Sequence, residues 1–260
     1  MSIYLDPKDA RDLPGLRLVL TAGVPGPWGE AAKSIFHVKK IPYARVRQEG
    51  GQPNEALLEW TGHANAPQAI LDDEPARTGW AEILLLAERM QPEPALLPAD
   101  PHERALALGL CFELCGEDGL GWSRRLQLLA PLMQLPPDDP NPVLAIGRRL
   151  ARRYGYSEAR LAAADTRVVS ILRLFSEQLA AQQAAGRDHL VGDALSAVDL
   201  YWSTFAAMLR PLPPELCPMP DSLRAQYGSL TPEIEAALDP ALLAHRDRIY
   251  RDHLELPLDF

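Results

Sequence analysis

Four prolines fall within twelve residues at Gln91–His102, QPEPALLPADPH, and the chain reads differently on either side of them. Proline has no N–H to give a helix and pushes the residue before it out of the helical region, so this run is a stiff, non-helical connection. Before it, short strand-like runs alternate with helical patterns. After it, strand signals almost vanish and amphipathic helical runs follow one another between Pro and Gly breaks. The asymmetry predicts an α/β unit over residues 1–92, a linker over 93–102 and an all-α unit over 103–260.

In the first unit LRLVLT (Leu16–Thr21) reads as a strand ending at Gly and Pro. WGEAAKSIFHVKK (Trp28–Lys40) spaces Ala31, Ala32, Ile35, Phe36 and Val38 as a helix does, and Pro27 stands just before it, where a helix tolerates Pro. YARVR (Tyr43–Arg47) is a second strand, NEALLEW a short helix or turn, QAIL (Gln68–Leu71) a third strand, and RTGWAEILLLAERM a closing helix. A strand–helix–strand start predicts parallel pairing through a right-handed crossover. The turn between the first strand and its helix, with two Gly and two Pro in AGVPGPW, is of the kind that presents backbone N–H groups to an anion.

In the second unit Gly116, Gly119 and Gly121 are expected to interrupt a helix before Trp122, and Ser157 and Gly186 to start and stop the longest one. The pair Ser196 and Asp199 in HLVGDALSAVDLYW has capping-box spacing, with the acid three residues after the cap. Three cysteines, Cys111, Cys115 and Cys217, are too few for a disulfide framework. Cys111 and Cys115 lie on one helical face with no His beside them, so buried thiols are expected and no metal site. The formal net charge of −9 argues against nucleic acid or an anionic membrane as the main partner. No apolar run approaches the ~20 residues of a membrane helix, and the start MSIYLDPKDARDLPG lacks the basic-then-apolar order of a signal peptide, so a cytoplasmic location is expected.

The segment from Leu190 to Leu200, with Gly192, Asp193, Leu195, Ser196 and Asp199 in order, resembles the helical-domain motif of the glutathione S-transferase superfamily. KIPYARV resembles that family's second strand, and NAPQAIL its third strand behind a cis-proline. The resemblance implies an α/β thioredoxin-like N-terminal domain, ordered strand–helix–strand–helix–strand–strand–helix, followed by an all-α helical bundle. It implies glutathione as co-substrate, no metal, and a homodimer. It places Pro67 as the cis-proline, Ala66 as the residue whose backbone pairs with glutathione, and Trp28 beside the ligand. Ser196 and Asp199 are then a structural cap.

The sequence departs from that pattern where the chemistry is done. Counting back from Ile41-Pro42-Tyr43, the family's Ser or Cys position falls on Gly26, followed by Pro27-Trp28. No Tyr stands near the end of the first strand, and Thr21 is the one hydroxyl in reach. The family's Glu-Ser pair, which holds the γ-glutamyl group, falls on Arg77-Thr78 or on Thr78-Gly79. The thiolate is therefore expected to be stabilised by Thr21 or by backbone N–H groups around Gly26–Gly29. Phe112, Cys115 and Trp122 are candidates for an apolar second-substrate pocket with Trp28; burial in the core is the competing expectation, favoured for Phe112 and Cys115. Arg124 and Arg125 fit a solvated face or ion pairs as well as an anionic substrate. Two functions follow: a glutathione transferase acting on small hydrophobic electrophiles, or a non-catalytic binding protein on the same fold. A disulfide oxidoreductase is disfavoured because no Cys stands at the first helix start.

Overall fold

The computed structural model describes residues 3–260. Two units are distinguished: one of residues up to Leu96 together with Leu212–Met219 and Tyr250–Phe260, the other of Leu97–Pro211 and Pro220–Ile249. The division between Leu96 and Leu97 lies within the proline-rich stretch; the return of the last residues to the first unit has no counterpart in composition.

In the first unit, a short helix α1 (Pro7–Ala10) precedes β1 (Leu16–Thr21), α2 (Pro27–Val38), β2 (Ala44–Gln48), α3 (Glu55–Thr61), β3 (Gln68–Leu71) and α4 (Trp80–Met90). The sheet runs β2–β1–β3, with β1 parallel to β2 and antiparallel to β3. β1 is central, and Leu16 to Leu20 are all buried on it; Arg17, the one charged residue among them, donates its guanidinium to the carbonyls of Gly15 and Asp72. Val19 and Val46 meet Leu57 and Ile70 in one core cluster. α2 turns Ala31, Ala32, Ile35 and Phe36 inward, all at most 3 % exposed, and packs beside α4. The expected fourth strand is reduced to one antiparallel bridge, Ala69 with Arg77. α2 ends at Val38 and not at Lys40, whose φ of 54° is left-handed.

Lys39 explains how the linker is fixed. Its side chain is fully buried, and its ammonium meets Glu88 at 2.6 Å and the carbonyls of Gln91 and Pro94 at 2.7 and 2.9 Å. Those carbonyls belong to the proline-rich stretch, where missing N–H groups leave carbonyls without backbone partners.

The second unit is helical: α5 (Pro101–Cys115), α6 (Leu120–Met133), α7 (Leu144–Arg153), α8 (Glu158–Ala184), α9 (Ala197–Phe205), α10 (Asp221–Gly228), α11 (Pro232–Ala237) and α12 (Pro240–His253), whose residues from Tyr250 on are counted in the first unit. α5 packs on α9, and α6 on α7 and α8. Ser157 caps α8 by accepting the Arg160 N–H at 3.2 Å, and Gly186 follows its end with φ of 74°. Of the three glycines expected to break the helix before Trp122, Gly116 and Gly119 do so; Gly121 lies inside α6. At Gly119 a Cβ would stand 2.6 Å from the Glu113 carbonyl, so only glycine lets the chain turn back this tightly.

Candidate active site

β1 ends at Thr21, and the turn to α2 brings the chain to Gly26, the N-cap, in an extended conformation. Gly26 N–H donates to Val24 O at 2.9 Å, and Glu30 N–H makes the first bond of the helix, to Gly26 O, also at 2.9 Å. The N–H groups of Trp28 and Gly29 come before that bond, Pro27 has none, and no side chain caps this end. The helix dipole adds roughly half a positive charge here. Trp28 is half-buried, as are Gly26 and Gly29.

The sheet register gathers the other expected residues at the same place. Val19 faces Gln68 in the last step of the β1–β3 pair, and Ala66 and Pro67 lead directly into Gln68 at that end. The Ala66–Pro67 peptide is cis, as expected. The Ala69–Arg77 bridge likewise brings Thr78 alongside Gln68, just before α4 starts at Gly79. The end of β1, the start of α2, the Ala66–Pro67 peptide and the start of α4 thus share one end of the sheet.

The side chains there are already engaged. Thr21 Oγ1 donates to Gln48 Oε1 at 2.7 Å, its register partner on β2. Gln48 Nε2 in turn donates to the carbonyls of Glu49 (2.9 Å) and Ala64 (3.2 Å), which fixes Oε1 as the acceptor. The Thr21 proton therefore points along the sheet. At α4 the Thr78 and Gly79 N–H groups donate to Glu82 Oε2 at 3.2 and 2.9 Å, so the chain supplies its own carboxylate to this helix start. Arg77 pairs with Glu74 at 2.6 Å, and Arg89 binds the same carboxylate; the hydrogen bond from Arg89 foremost holds Glu74 below the ordinary carboxylate range. Of the two helix starts, α4 is occupied by Glu82, whereas no side chain caps α2.

The expected second-substrate residues divide. Phe112 is 51 % exposed, which corrects the expectation that it is core, whereas Cys115 is buried with Cys111. All three cysteines are free. Burial pushes the Cys111 and Cys115 thiols well above their ordinary range, so they are poor nucleophiles. Trp122 packs edge-on against Tyr154 (4.8 Å) and donates its indole N–H to the Tyr154 carbonyl at 2.9 Å.

Arg124 corrects the solvated-face and ion-pair expectations together. It is 2 % exposed and forms no ion pair with the described residues. Its guanidinium instead donates to the carbonyls of Met208 (3.0 Å), Tyr227 (3.1 Å) and Ser229 (3.1 Å), the last two at the C-terminal end of α10. Burial brings it down to about 10. Arg125 lies over the Tyr154 ring at 5.7 Å.

The capping box forms at the start of α9. Asp199, fully buried, accepts from Leu190 N–H (2.9 Å), Ser196 N–H (2.8 Å) and Ser196 Oγ (2.9 Å), and His245 Nε2 stands 2.8 Å from its other face. Burial raises this carboxyl, but the bond from His245 and those from the two backbone N–H groups outweigh it, and the net shift is downward. His245 was not foreseen from the sequence, lying 46 residues away on α12.

The sequence matches no protein-family model and no curated protein. The fold has known counterparts. A glutathione S-transferase of Methylobacterium radiotolerans, crystallised with glutathione sulfonate, is 19 % identical with a TM-score of 0.59, over 91 % of each chain. Rice GST1, crystallised with glutathione, is 19 % identical with a TM-score of 0.60, over 94 % of this chain and 93 % of the other. A glutathione S-transferase of Xanthobacter autotrophicus is 20 % identical with a TM-score of 0.56, over 93 % and 96 %. With a thioredoxin-like first unit, a cis-proline before β3 and a capped α9 in the helical unit, the chain has the glutathione S-transferase fold.

Proposed function

We propose that this protein binds glutathione and activates its thiol for transfer to a small hydrophobic electrophile, as a glutathione transferase. The observation that carries the reading is the start of α2: a helix end without a side-chain cap, on the same end of the sheet as the Ala66–Pro67 cis peptide. Thiolate sulfur at a helix N-terminus is stabilised by the N–H groups and the dipole, which lower a thiol pKa from its ordinary ~8.5. Gly26 then contributes through its backbone as the N-cap that starts the helix, its own N–H being on Val24 O, and Thr21, with its proton on Gln48, supports the strand end and leaves the sulfur to the helix. The Ala66 backbone pairs with the peptide of the ligand, Trp28 lies beside it, and Arg77 and Thr78 take the γ-glutamyl carboxylate, with Glu82 yielding the α4 start to it. In the reaction the thiolate forms a carbon–sulfur bond, and the electron pair of the bond that breaks leaves with the departing group. Phe112 and Trp122 remain the proposed surroundings of the second substrate; Cys115 is buried. We take the protein to be a cytoplasmic homodimer; light scattering that returns the mass of a monomer refutes the dimer.

Titration calorimetry with glutathione, followed by turnover of a generic aryl halide, tests this reading. Binding with turnover supports it. No heat at millimolar glutathione overturns it. Binding without turnover selects the second reading, a non-catalytic glutathione-binding protein, which is favoured by the missing side chain at Gly26 and the engaged Thr21 hydroxyl.

A further inference from the structure

The last residues of the chain lie on the outer side of α2, away from the apolar face that meets the sheet. Asp259 is held there by two cations, Arg45 reaching its carbonyl (3.4 Å) as well as its carboxylate. Its carbonyl accepts from Lys33 Nζ at 2.7 Å, and its carboxylate accepts from Arg45 Nη1 at 3.0 Å. Leu258 beside it is buried and donates its N–H to Leu216 O at 2.7 Å. The preceding residues bow outward: Glu255 and Pro257 are exposed, and a cavity of about 300 Å³ remains between them and the helix residues Glu30, Lys33 and His37. The segment is thus held at Leu258 and Asp259, over a partly hollow bed.

The groups beneath it are unusual for the outer face of a helix. Glu30 and Lys33 are 6 % and 9 % exposed, and the ammonium lies 3.0 Å from both carboxylate oxygens. A buried ion pair is stabilising only when its remaining protons and lone pairs are also satisfied. The Asp259 carbonyl supplies that third partner to Lys33. Burial still leaves Glu30 above the ordinary carboxylate range despite Lys33, so the pair depends on its surroundings. Arg45 is a fixed anchor on the other side. Its carbonyl accepts from Leu5 N–H at 2.9 Å, and Leu5 O accepts from Arg47 N–H at 2.9 Å, so an N-terminal segment clamps β2 at this point. Asp259 therefore ties Lys33 on α2 to Arg45 on β2.

Glu30 is the residue that makes the first backbone bond of α2, directly after the N–H groups of Trp28 and Gly29. We propose that Asp259, through Lys33 and Arg45, is a positioning residue for the start of α2, and that the segment ending in it is a strap whose release loosens the helix end and weakens the ligand held there. The ligand half of this proposal rests on the glutathione reading. Coupling of this kind is reciprocal: glutathione at α2 must tighten the strap by the factor by which the strap tightens glutathione.

The test compares the full chain with a chain ending at Leu258, and with Asp259→Ala and Asp259→Glu. Hydrogen exchange is followed by peptide, with glutathione affinity by calorimetry and the melting temperature as control. The chain ending at Leu258 is expected to exchange faster over residues 27–33 than elsewhere and to bind glutathione about tenfold more weakly, the equivalent of one lost charge-assisted hydrogen bond. Asp259→Ala, which keeps the carbonyl, falls between the two, and Asp259→Glu recovers most of the loss. In the full chain, glutathione slows exchange over residues 254–260. A purely structural role lowers the melting temperature and speeds exchange throughout, without singling out residues 27–33, and that result overturns the proposal. Full-chain binding of glutathione with unchanged affinity in the shortened chain overturns it alone. Failure of the full chain to bind glutathione overturns the parent reading and the ligand half with it, while local exchange over residues 27–33 still decides whether Asp259 positions the helix.

Discussion

Replacing Gly26 with Ser tests the start of α2 where the geometry is most permissive. Gly26 has φ of −66°, which any residue adopts, and a Cβ built there meets nothing within 4 Å. Ser is at least as good an N-cap as Gly, so folding stability is expected to stay within a few tenths of a kcal/mol of the parent or to rise. If the glutathione sulfur sits at this corner, the new hydroxyl donates to it. A hydrogen bond to an ion contributes about 1.5–3 kcal/mol, which lowers the pKa of the bound thiol by about one to two. Thiolate absorbance of the complex against pH reads that change directly. The rate is a second readout with a change of sign. Near pH 6.5 the thiolate fraction rises as the pKa falls, but nucleophilicity falls with a slope of roughly 0.4–0.5, so turnover of an aryl halide rises about three- to tenfold. Well above the thiol pKa both proteins are fully ionised, and the variant is then the slower one by a similar factor. A variant that melts as the parent does, binds glutathione as the parent does, and shows neither the lowered pKa nor the crossing rates would mean that the sulfur is not at the start of α2.

Thr21→Val removes the donor to Gln48 Oε1 and is expected to cost about 1 kcal/mol in urea unfolding while leaving the bound thiol pKa unchanged; a clear rise in that pKa would return the thiolate to Thr21. Asp199→Asn disturbs a buried acceptor of two backbone N–H groups, the Ser196 hydroxyl and His245, and is expected to lose roughly 3–5 kcal/mol in the same assay. Because the Asp199 carboxyl is held below its ordinary range in the folded chain, its contribution is present at neutral pH and is lost as pH falls through that depressed value, so the Asn variant loses this part of the acid limb of the stability curve; an acid limb identical to the parent's would contradict the assignment. A chromogenic disulfide reagent should find none of the three cysteines in the folded protein and all three in denaturant, since each is buried and free; rapid native labelling would show Cys115 to be accessible.

The features that the sequence revealed are those written in local spacing. Helical periodicity located α2, α4 and α8, Ser157 and Gly186 marked the ends of the last of these, and the Ser196–Asp199 spacing marked the start of α9. The cis geometry at Pro67 came through the family resemblance. Side-chain partnerships over long separations left no such trace. Arg124 fitted a solvated face, an ion pair or an anionic substrate equally well and proved to be a buried bridge to α10, since its acceptors are carbonyls, which every residue carries. The same holds for Lys33 and Arg45, whose shared partner Asp259 lies 226 and 214 residues away.

That difference bears on where the chemistry of this chain is to be sought. At the end of the sheet where the family resemblance calls for a reactive side chain, the sequence supplies a glycine, and a threonine whose proton is already engaged. What remains to act on an anion is backbone, and backbone donors are only as effective as the helix that holds them is fixed. The apolar face of α2 fixes it from the sheet side, through Ala31, Ile35 and Phe36, as periodicity alone foretold. Its outer face carries Glu30 and Lys33, an opposite-charge pair at helical spacing that ordinarily marks water, and yet this is the face that the Asp259 segment covers. A site that relies on backbone donors needs both faces of its helix held, and the second hold here is made of polar contacts that no pattern in the sequence announces.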